Sequence, residues 1–150
     1  HKALYRSMTE QVPKGYYNLP FGKANLISEG NELSIITYGM GVHWAKKVIE
    51  EKGVKADILD LRTLVPLDWQ SVFKSAKKTG KVIVLHEDTL FGGIGGELAS
   101  EISEQCFEYL DAPVKRVGSL DTAVPFHPNL EANFLPQKRL EKVVDELLAY

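Results

Sequence analysis

Hydrophobic and polar positions follow one another along this chain in a pattern that predicts an α/β domain. Residues 82–85 are all apolar, mostly β-branched, and too few for a free-standing helix. Such a run is typical of a strand that is buried on both faces, as in a parallel sheet covered by helices. It leads into His86, Glu87 and Asp88, and then into four glycines within residues 92–96. We take this strand–loop–helix unit as the centre of the fold.

The same alternation of strand and helix patterns continues on both sides of this unit. Strands are predicted over residues 24–28, 33–38, 56–61 and 114–118, and amphipathic helices over residues 41–52, 69–79, 97–109 and 137–148. Asp68 is the expected N-cap of the second helix, and Gly53 and Gly80 are expected C-caps. The third helix is expected to bury Leu98, Ile102 and Phe107 on one face.

Only residues 29–32 separate the first two predicted strands. A link of four residues is too short for a parallel crossover, so these strands are predicted to pair with each other in antiparallel orientation. Helices follow the later strands in turn. The predicted fold is therefore a three-layer α/β/α domain with a five-stranded, mostly parallel sheet that contains one antiparallel strand.

Residues 1–23 are predicted to form a linker arm, and residues 24–150 the folded domain. The arm shows no helical or strand period, but it carries four aromatic residues: Tyr5, Tyr16, Tyr17 and Phe21. Free linkers are usually poor in aromatic residues. We therefore expect the arm to lie against a surface, either of its own domain or of a neighbour that precedes it in a longer polypeptide.

Composition excludes several classes of partner. A net charge of −2 and an isoelectric point near 6.1 provide no electrostatic basis for binding nucleic acid or an anionic membrane. No apolar run approaches the roughly 20 residues of a membrane span. Cys106 is the only cysteine, so the chain has no internal disulfide. A single free thiol fits a reducing compartment, and we expect a cytoplasmic protein.

The glycine-rich segment is the obvious candidate for a phosphate site, but its spacing does not fit one. From Gly93 the dinucleotide pattern continues at Gly95, and Leu98 then replaces its third glycine. No Gly-Lys-Ser/Thr follows, and the carboxylates of Glu87 and Asp88 would repel a phosphate. The glycines are better explained by a tight turn and close packing of a helix on a strand.

His86, Glu87 and Asp88 form a candidate acid–base cluster. Adjacent residues of a strand point to opposite sides, so the three side chains need not converge. The alternative is that they bond loop amides or a neighbouring domain, and catalysis within this chain is the less favoured interpretation.

The remaining reactive residues show no catalytic or metal-binding pattern. His43 lies in a first helical turn, where capping or an interface contact is favoured over catalysis, and His127 lies in a proline-rich loop over residues 125–136. The four histidines and one cysteine lack metal-ligand spacing. Cys106 is expected to be a small buried residue and not a nucleophile.

Several stretches together resemble one family. They include Asp60-Leu61-Arg62-Thr63-Leu64-Val65-Pro66-Leu67-Asp68, Lys78-Thr79-Gly80-Lys81, His86-Glu87, Gly92-Gly93-Ile94-Gly95-Gly96-Glu97 and Asp111-Ala112-Pro113-Val114. In this order they resemble the C-terminal domain of the beta subunit of 2-oxo acid dehydrogenases, which are transketolase-like thiamine diphosphate enzymes. Glu10-Gln11-Val12-Pro13, Gln105-Cys106-Phe107 and the terminal Tyr150 are more similar to the branched-chain (2-oxoisovalerate) type, with pyruvate as the runner-up substrate.

The resemblance implies an assembly and docking domain. In this family thiamine diphosphate and Mg²⁺ bind between the alpha subunit and the N-terminal domain of the beta subunit, so this chain alone is expected to bind neither and to be inactive. The C-terminal domain pairs with a second beta subunit and docks the peripheral subunit-binding domain of the acyltransferase. Carried over, the docking residues are Asp111 and the carboxylate of Tyr150. A self-contained enzyme that uses His86 and Glu87 is the alternative.

Overall fold

The computed structural model describes residues 1–150 as a single mixed sheet with helices on both faces. The strands are β1 (Asn25–Ser28), β2 (Leu33–Thr37), β3 (Ala56–Asp60), β4 (Val82–Thr89) and β5 (Lys115–Ser119). The helices are α1 (Lys2–Ser7), α2 (Met40–Lys52), α3 (Trp69–Thr79), α4 (Gly95–Cys106), α5 (Pro128–Phe134) and α6 (Gln137–Leu148). A single 3₁₀ turn, Phe107–Tyr109, follows α4. The predicted three-layer α/β/α architecture is confirmed.

The sheet has the order β1-β3-β2-β4-β5, and all its neighbouring pairs except β1–β3 are parallel. Alternate residues of β4 enter two separate cores. Ile83 and Leu85 pack with α2 and α6, whereas Val82 and Val84 pack with α3 and α4. The central strands are thus covered on both faces, which explains the uninterrupted apolar run over residues 82–85 of β4. No helix is long and apolar enough to cross a membrane.

The predicted pairing of β1 with β2 is wrong, because β1 pairs with β3. The link between β1 and β2 crosses the start of β3, where Gly30 N donates to Asp57 Oδ1 at 3.0 Å and Glu32 N donates to Lys55 O at 2.9 Å. Four extended residues reach about 13 Å, which exceeds the roughly 10 Å across two strand spacings. A side chain on Gly30 would collide with the Lys55 carbonyl, since an added Cβ would lie 2.1 Å from its carbon.

The predicted helix ends are largely confirmed. Gly53 and Gly80 close α2 and α3 in the left-handed conformation, each with φ of 68°. Phe107 is not buried as predicted, and its side chain is 78% exposed. Phe107 comes nine positions after Leu98, and nine positions rotate a residue to the opposite side of an α-helix. Cys106 lies on the buried face instead.

Two short helices were not predicted. Helix α1 buries none of its residues, so it leaves no apolar period in the sequence. Helix α5 has Pro128 at its start and His127 as N-cap, with Asn129 N donating to His127 Nδ1 at 3.3 Å. A proline in the first helical turn is a known start signal, but α5 buries only Phe134 and its period is too weak to detect.

The aromatic side chains of the arm do not pack on the domain. Tyr5, Tyr16, Tyr17 and Phe21 are all exposed. The arm contacts the domain at both ends, where His1 Nε2 meets the Glu87 carboxylate and Gly22 N donates to Thr63 Oγ1 at 2.9 Å. Of the two surfaces considered for these aromatic residues, the domain itself is therefore excluded, and contact with a neighbour stays a prediction.

Replacing the N-cap Asp68 by alanine is expected to lower the free energy of unfolding by about 1–2 kcal/mol. Its carboxylate accepts from Ser71 N, Ser71 Oγ and Ala24 N at 3.2, 2.9 and 3.1 Å. Burial alone would raise the pKa of Asp68, but these hydrogen bonds outweigh it and hold the pKa below its ordinary value of 3.8. The contribution is therefore complete above about pH 4 and is lost as the pH falls further. Urea unfolding at pH 7 and pH 3 measures it; an equal loss at both pH values would contradict this account.

Candidate functional site

The carboxyl ends of β2 and β4 form the crevice in which an open α/β sheet usually binds its ligand. From β2 the chain passes through α2 to β3 on one side, and from β3 it passes through α3 to β4 on the other. Helices α2 and α3 lie on opposite faces of the sheet. The direction of the crossovers therefore reverses between β2 and β4, which defines a topological switch point.

The glycine segment at this crevice is filled by the side chain of His86. The imidazole is fully buried, and three glycines lie against it. A Cβ added to Gly93, Gly95 or Gly118 would approach ring atoms to 2.7, 2.3 and 2.9 Å respectively. The prediction that these glycines allow close packing is confirmed, and the group they pack on is the imidazole. Because the ring occupies this space, the segment has no room for a diphosphate.

His86 lies close to the backbone and carboxylate of Asp88 but makes no regular hydrogen bond with them. Neither ring nitrogen has a hydrogen-bond partner of normal geometry. Burial is the main cause that lowers the pKa of His86 from 6.5, and Arg116 adds to it, while the carboxylate and backbone of Asp88 act in the opposite direction. The ring is therefore held neutral and out of reach of a substrate in the crevice.

The predicted acid–base residues are not brought together. The Glu87 carboxylate contacts His1 Nε2, away from the buried ring, and burial raises the pKa of Glu87. Asp88 is exposed and accepts a hydrogen bond from Thr89 N at 2.8 Å. His86 and Glu87 thus face opposite sides of β4, as the alternation of a strand requires.

Tyr38 belongs to the same crevice and was missed as a site residue. It follows β2 directly and is half-buried. Burial raises its pKa, and the negative charges of Asp88 and Glu87 raise it further. Tyr38 could be identified as a site residue because it follows a strand that neighbours β4. That inference requires the strand order, which the sequence alone does not give.

The other candidate residues, Cys106, His127 and His43, show no catalytic arrangement. Cys106 is buried, and burial raises the pKa of its thiol, which disfavours the reactive thiolate. His127 caps α5. The expected capping role of His43 is not found, since no side chain caps α2. No group of three or more His, Cys, Asp and Glu side chains is arranged to hold a metal ion.

The two predicted docking residues lie at the opposite end of the sheet from His86. Asp111 N donates to Gly80 O at 2.8 Å, just before β4 begins, and its side chain is exposed. Tyr150 follows the end of α6 and is 65% exposed. Lys115 Nζ at the start of β5 lies 3.4 Å from Glu146 Oε2, which places the end of α6 beside the amino ends of the strands. Asp111 and the chain terminus therefore share one edge of the domain.

The fold and its filled crevice define a domain of the transketolase C-terminal class. Residues 22–140 match the family "Transketolase, C-terminal domain", and the chain belongs to this family. A split-gene transketolase, solved as an inactive beta4 tetramer, superposes with a TM-score of 0.71 at 26% identity over 96% of this chain and 47% of that chain. A 2-oxoglutarate:ferredoxin oxidoreductase from Magnetococcus marinus, at 15% identity and a TM-score of 0.51, shows the fold alone.

Among curated proteins the chain is similar to beta subunits of 2-oxo acid dehydrogenases. It is 42% identical to the 2-oxoisovalerate dehydrogenase subunit beta of Bacillus subtilis, over all of this chain and 47% of that protein. It is 44% identical to the Pseudomonas aeruginosa subunit of the same name over 77% of this chain and 33% of that protein. It is 40% identical to the pyruvate dehydrogenase E1 component subunit beta of Staphylococcus aureus, over 98% of this chain and 46% of that protein. The chain thus spans about half the length of these relatives.

Proposed function

We propose that this chain is the C-terminal assembly and docking domain of a thiamine diphosphate-dependent 2-oxo acid dehydrogenase beta subunit. The observation that carries the proposal is the 42% identity of the entire chain to one half of a 2-oxoisovalerate dehydrogenase beta subunit. The assembled enzyme oxidatively decarboxylates a 2-oxo acid and reductively acylates a lipoyl group. Its location is the cytoplasm, or the mitochondrial matrix in a eukaryote.

The substrate that we assign to the assembled enzyme is a branched-chain 2-oxo acid. The support is the somewhat higher identity to the 2-oxoisovalerate enzymes, 42–44% against 40% for a pyruvate dehydrogenase subunit. Pyruvate is the alternative, because the margin is small and this domain does not hold the substrate in our proposal. Turnover of 2-oxoisovalerate against pyruvate by the assembled enzyme distinguishes the two.

Thiamine diphosphate and Mg²⁺ belong, in this proposal, to a site outside the chain. The site lies between the alpha subunit and the N-terminal domain of the beta subunit. Bound there, the coenzyme supplies the electron sink for decarboxylation. The residues described here do not fit the diphosphate, because the His86 ring fills the glycine segment and the nearby Asp88 carboxylate would repel it. For Mg²⁺, no group of three or more possible side-chain ligands is arranged around a common point. We assign no catalytic step to this chain.

The partners in this proposal are the N-terminal domain of the same subunit, the alpha subunit and a second beta subunit. The beta4 assembly of the split-gene transketolase supports association between domains of this class. The arm is also consistent with a missing neighbour, since its aromatic side chains are exposed.

For docking, we propose that Asp111 and the Tyr150 carboxylate meet the basic peripheral subunit-binding domain of the acyltransferase. Their common edge and their exposure support this assignment. Opposite charges across an interface chiefly set the encounter rate and the orientation of partners. The self-contained enzyme that would use His86 and Glu87 is not favoured, because the two side chains point apart and the imidazole is buried.

The Asp111→Asn substitution, or amidation that blocks the Tyr150 carboxylate, is expected to weaken binding of the isolated peripheral subunit-binding domain to the assembled enzyme about tenfold, or roughly 1.4 kcal/mol. The reason is the loss of one negative charge facing a basic module. Surface plasmon resonance at low and physiological salt measures the effect, which should shrink as salt rises. Glu131→Gln is the matched control, since Glu131 is an exposed carboxylate on α5, away from this edge. Unchanged association and dissociation rates in both variants would remove the docking assignment.

A further inference from the structure

We propose that His86 is an acid-sensitive latch that holds the glycine loop, residues 90–94, against β4 and β5 only while its ring is neutral. The proposal goes beyond assembly and docking, because it concerns a conformational change within the chain. It starts from the two hydrogen-bonding atoms of a fully buried ring, neither of which has a partner.

Backbone from three separate segments encloses the ring. Gly93 comes from the loop, Gly95 from the first residue of α4, and Gly118 from β5. Because these residues have no side chains, the acceptors near the ring are limited to backbone carbonyls, such as that of Asp88, and to the Asp88 carboxylate. The position facing Nε2 is the start of α4, and a helix N-terminus carries a partial positive charge that opposes a nearby cation. The enclosure therefore accepts a neutral imidazole and disfavours a charged one.

The elements that surround the ring carry several charged or titratable groups, of which Asp88 and Arg116 influence its pKa. Arg116 on β5 opposes protonation, and Asp88 on β4 favours it. The others are Glu87 on β4, Tyr38 after β2 and Glu97 in the first turn of α4. Burial is the largest influence, and together with Arg116 it outweighs Asp88, so the pKa of His86 is lowered from 6.5. The carboxylates thus do not compensate for the loss of water around the ring.

The loop itself is held by a few bonds near solvent. Arg116 Nη1 donates to Leu90 O at 3.1 Å, and Phe91 N donates to Asp121 Oδ1 at 2.8 Å. The Phe91 side chain is 85% exposed and adds little burial. A segment with few buried contacts can open locally without global unfolding. Release of the His86 ring is therefore expected to open this loop first.

The direction of the pH dependence follows from the lowered pKa of His86. Below about pH 6.5 the ring becomes protonated in the open state but resists protonation in the closed state. The closed state is therefore favoured fully at higher pH and loses stability as the pH falls from 6.5 toward the pKa of the closed state. For one proton, the opening equilibrium rises at most tenfold per pH unit.

Hydrogen–deuterium exchange of residues 86–96 in the full-length protein tests the latch. Rates are measured between pH 7.5 and 5.5 and divided by the intrinsic rates of an unstructured peptide. We expect the protection of the loop amides to fall, by up to tenfold, in the wild type and in the control His43→Gln, and to stay constant in His86→Gln. A constant protection in the wild type, or an equal fall in His86→Gln, would overturn the proposal.

A second measurement covers the case in which His86→Gln does not fold. The ring Cε1–H resonance of His86 in the wild type is followed by NMR through the same pH range, together with the loop amides. The latch predicts that His86 titrates below pH 6.5 and that the loop amides shift with the same midpoint. A titration near 6.5, or loop amides that do not follow the ring, would contradict it.

Discussion

Gly95→Ala is expected to lower the free energy of unfolding by about 2–3 kcal/mol, the upper part of the range for overpacking a filled core. Helix propensity alone predicts the opposite sign, a gain of up to about 1 kcal/mol. The added methyl group would lie 2.3 Å from His86 Nε2 and 2.4 Å from Cδ2. Movement of the ring away from the methyl group is opposed by Gly93 and Gly118, which lie against its Cε1 atom. Urea unfolding of the two proteins measures the difference.

Gly96→Ala is the matched control for this substitution. It lies in the same turn of α4, but an added Cβ there meets only Arg116 Nη1 at 3.5 Å, an ordinary contact. We expect it to be neutral or slightly stabilising. A partial rescue is also expected when Gly95→Ala is combined with His86→Ala, which removes the ring. Equal losses from Gly95→Ala and Gly96→Ala would show that the imidazole is not the reason for the glycine.

Asp57→Ala is expected to cost about 2–3 kcal/mol, because it removes a buried carboxylate that accepts charge-assisted hydrogen bonds. The Asp57 side chain is only 3% exposed and lies 2.5 Å from Lys78 Nζ. It also accepts from Ser75 Oγ at 2.8 Å and from Gly30 N at 3.0 Å. The substitution leaves Gly30 N without its acceptor, and it releases the link that carries the chain across β3. Urea unfolding at pH 7 measures the loss.

The second carboxylate near the same lysine provides the control. Glu29 lies 3.7 Å from Lys78 Nζ, but its side chain is 78% exposed. Exposed ion pairs contribute about 0–1 kcal/mol, so Glu29→Ala should change stability by less than 1 kcal/mol. Similar losses for the two substitutions would contradict the assignment of the stabilisation to the buried network around Asp57.

The sequence was sufficient for the architecture because its signals were local. The apolar run of β4, the cap residue Asp68 and the terminating glycines Gly53 and Gly80 each act within a few residues of chain. The partner of β1 was missed because pairing depends on contacts that are distant in sequence. Helix α1 gives no sequence signal because it buries none of its residues. Phe107 is exposed because its position falls on the opposite side of α4 from Leu98.

The candidate site was less predictable than the fold. Spacing showed that the glycines do not form a nucleotide motif, and strand alternation indicated that His86 and Glu87 need not converge. The packing of these glycines on the His86 ring could not be predicted, because Gly118 contacts the ring from a different strand. Tyr38 joins the crevice only through the strand order. Both features require the three-dimensional arrangement of segments that are separate in the sequence.

Isothermal titration of the purified chain with thiamine diphosphate and Mg²⁺ tests the central proposal most directly. Circular dichroism and a cooperative unfolding transition first establish that the chain is folded. We predict no saturable heat, and no decarboxylation of 2-oxoisovalerate or pyruvate, whereas the assembled enzyme binds the coenzyme and turns over. Micromolar binding of the coenzyme by the chain alone, or turnover by it, would contradict the assignment of an assembly and docking domain.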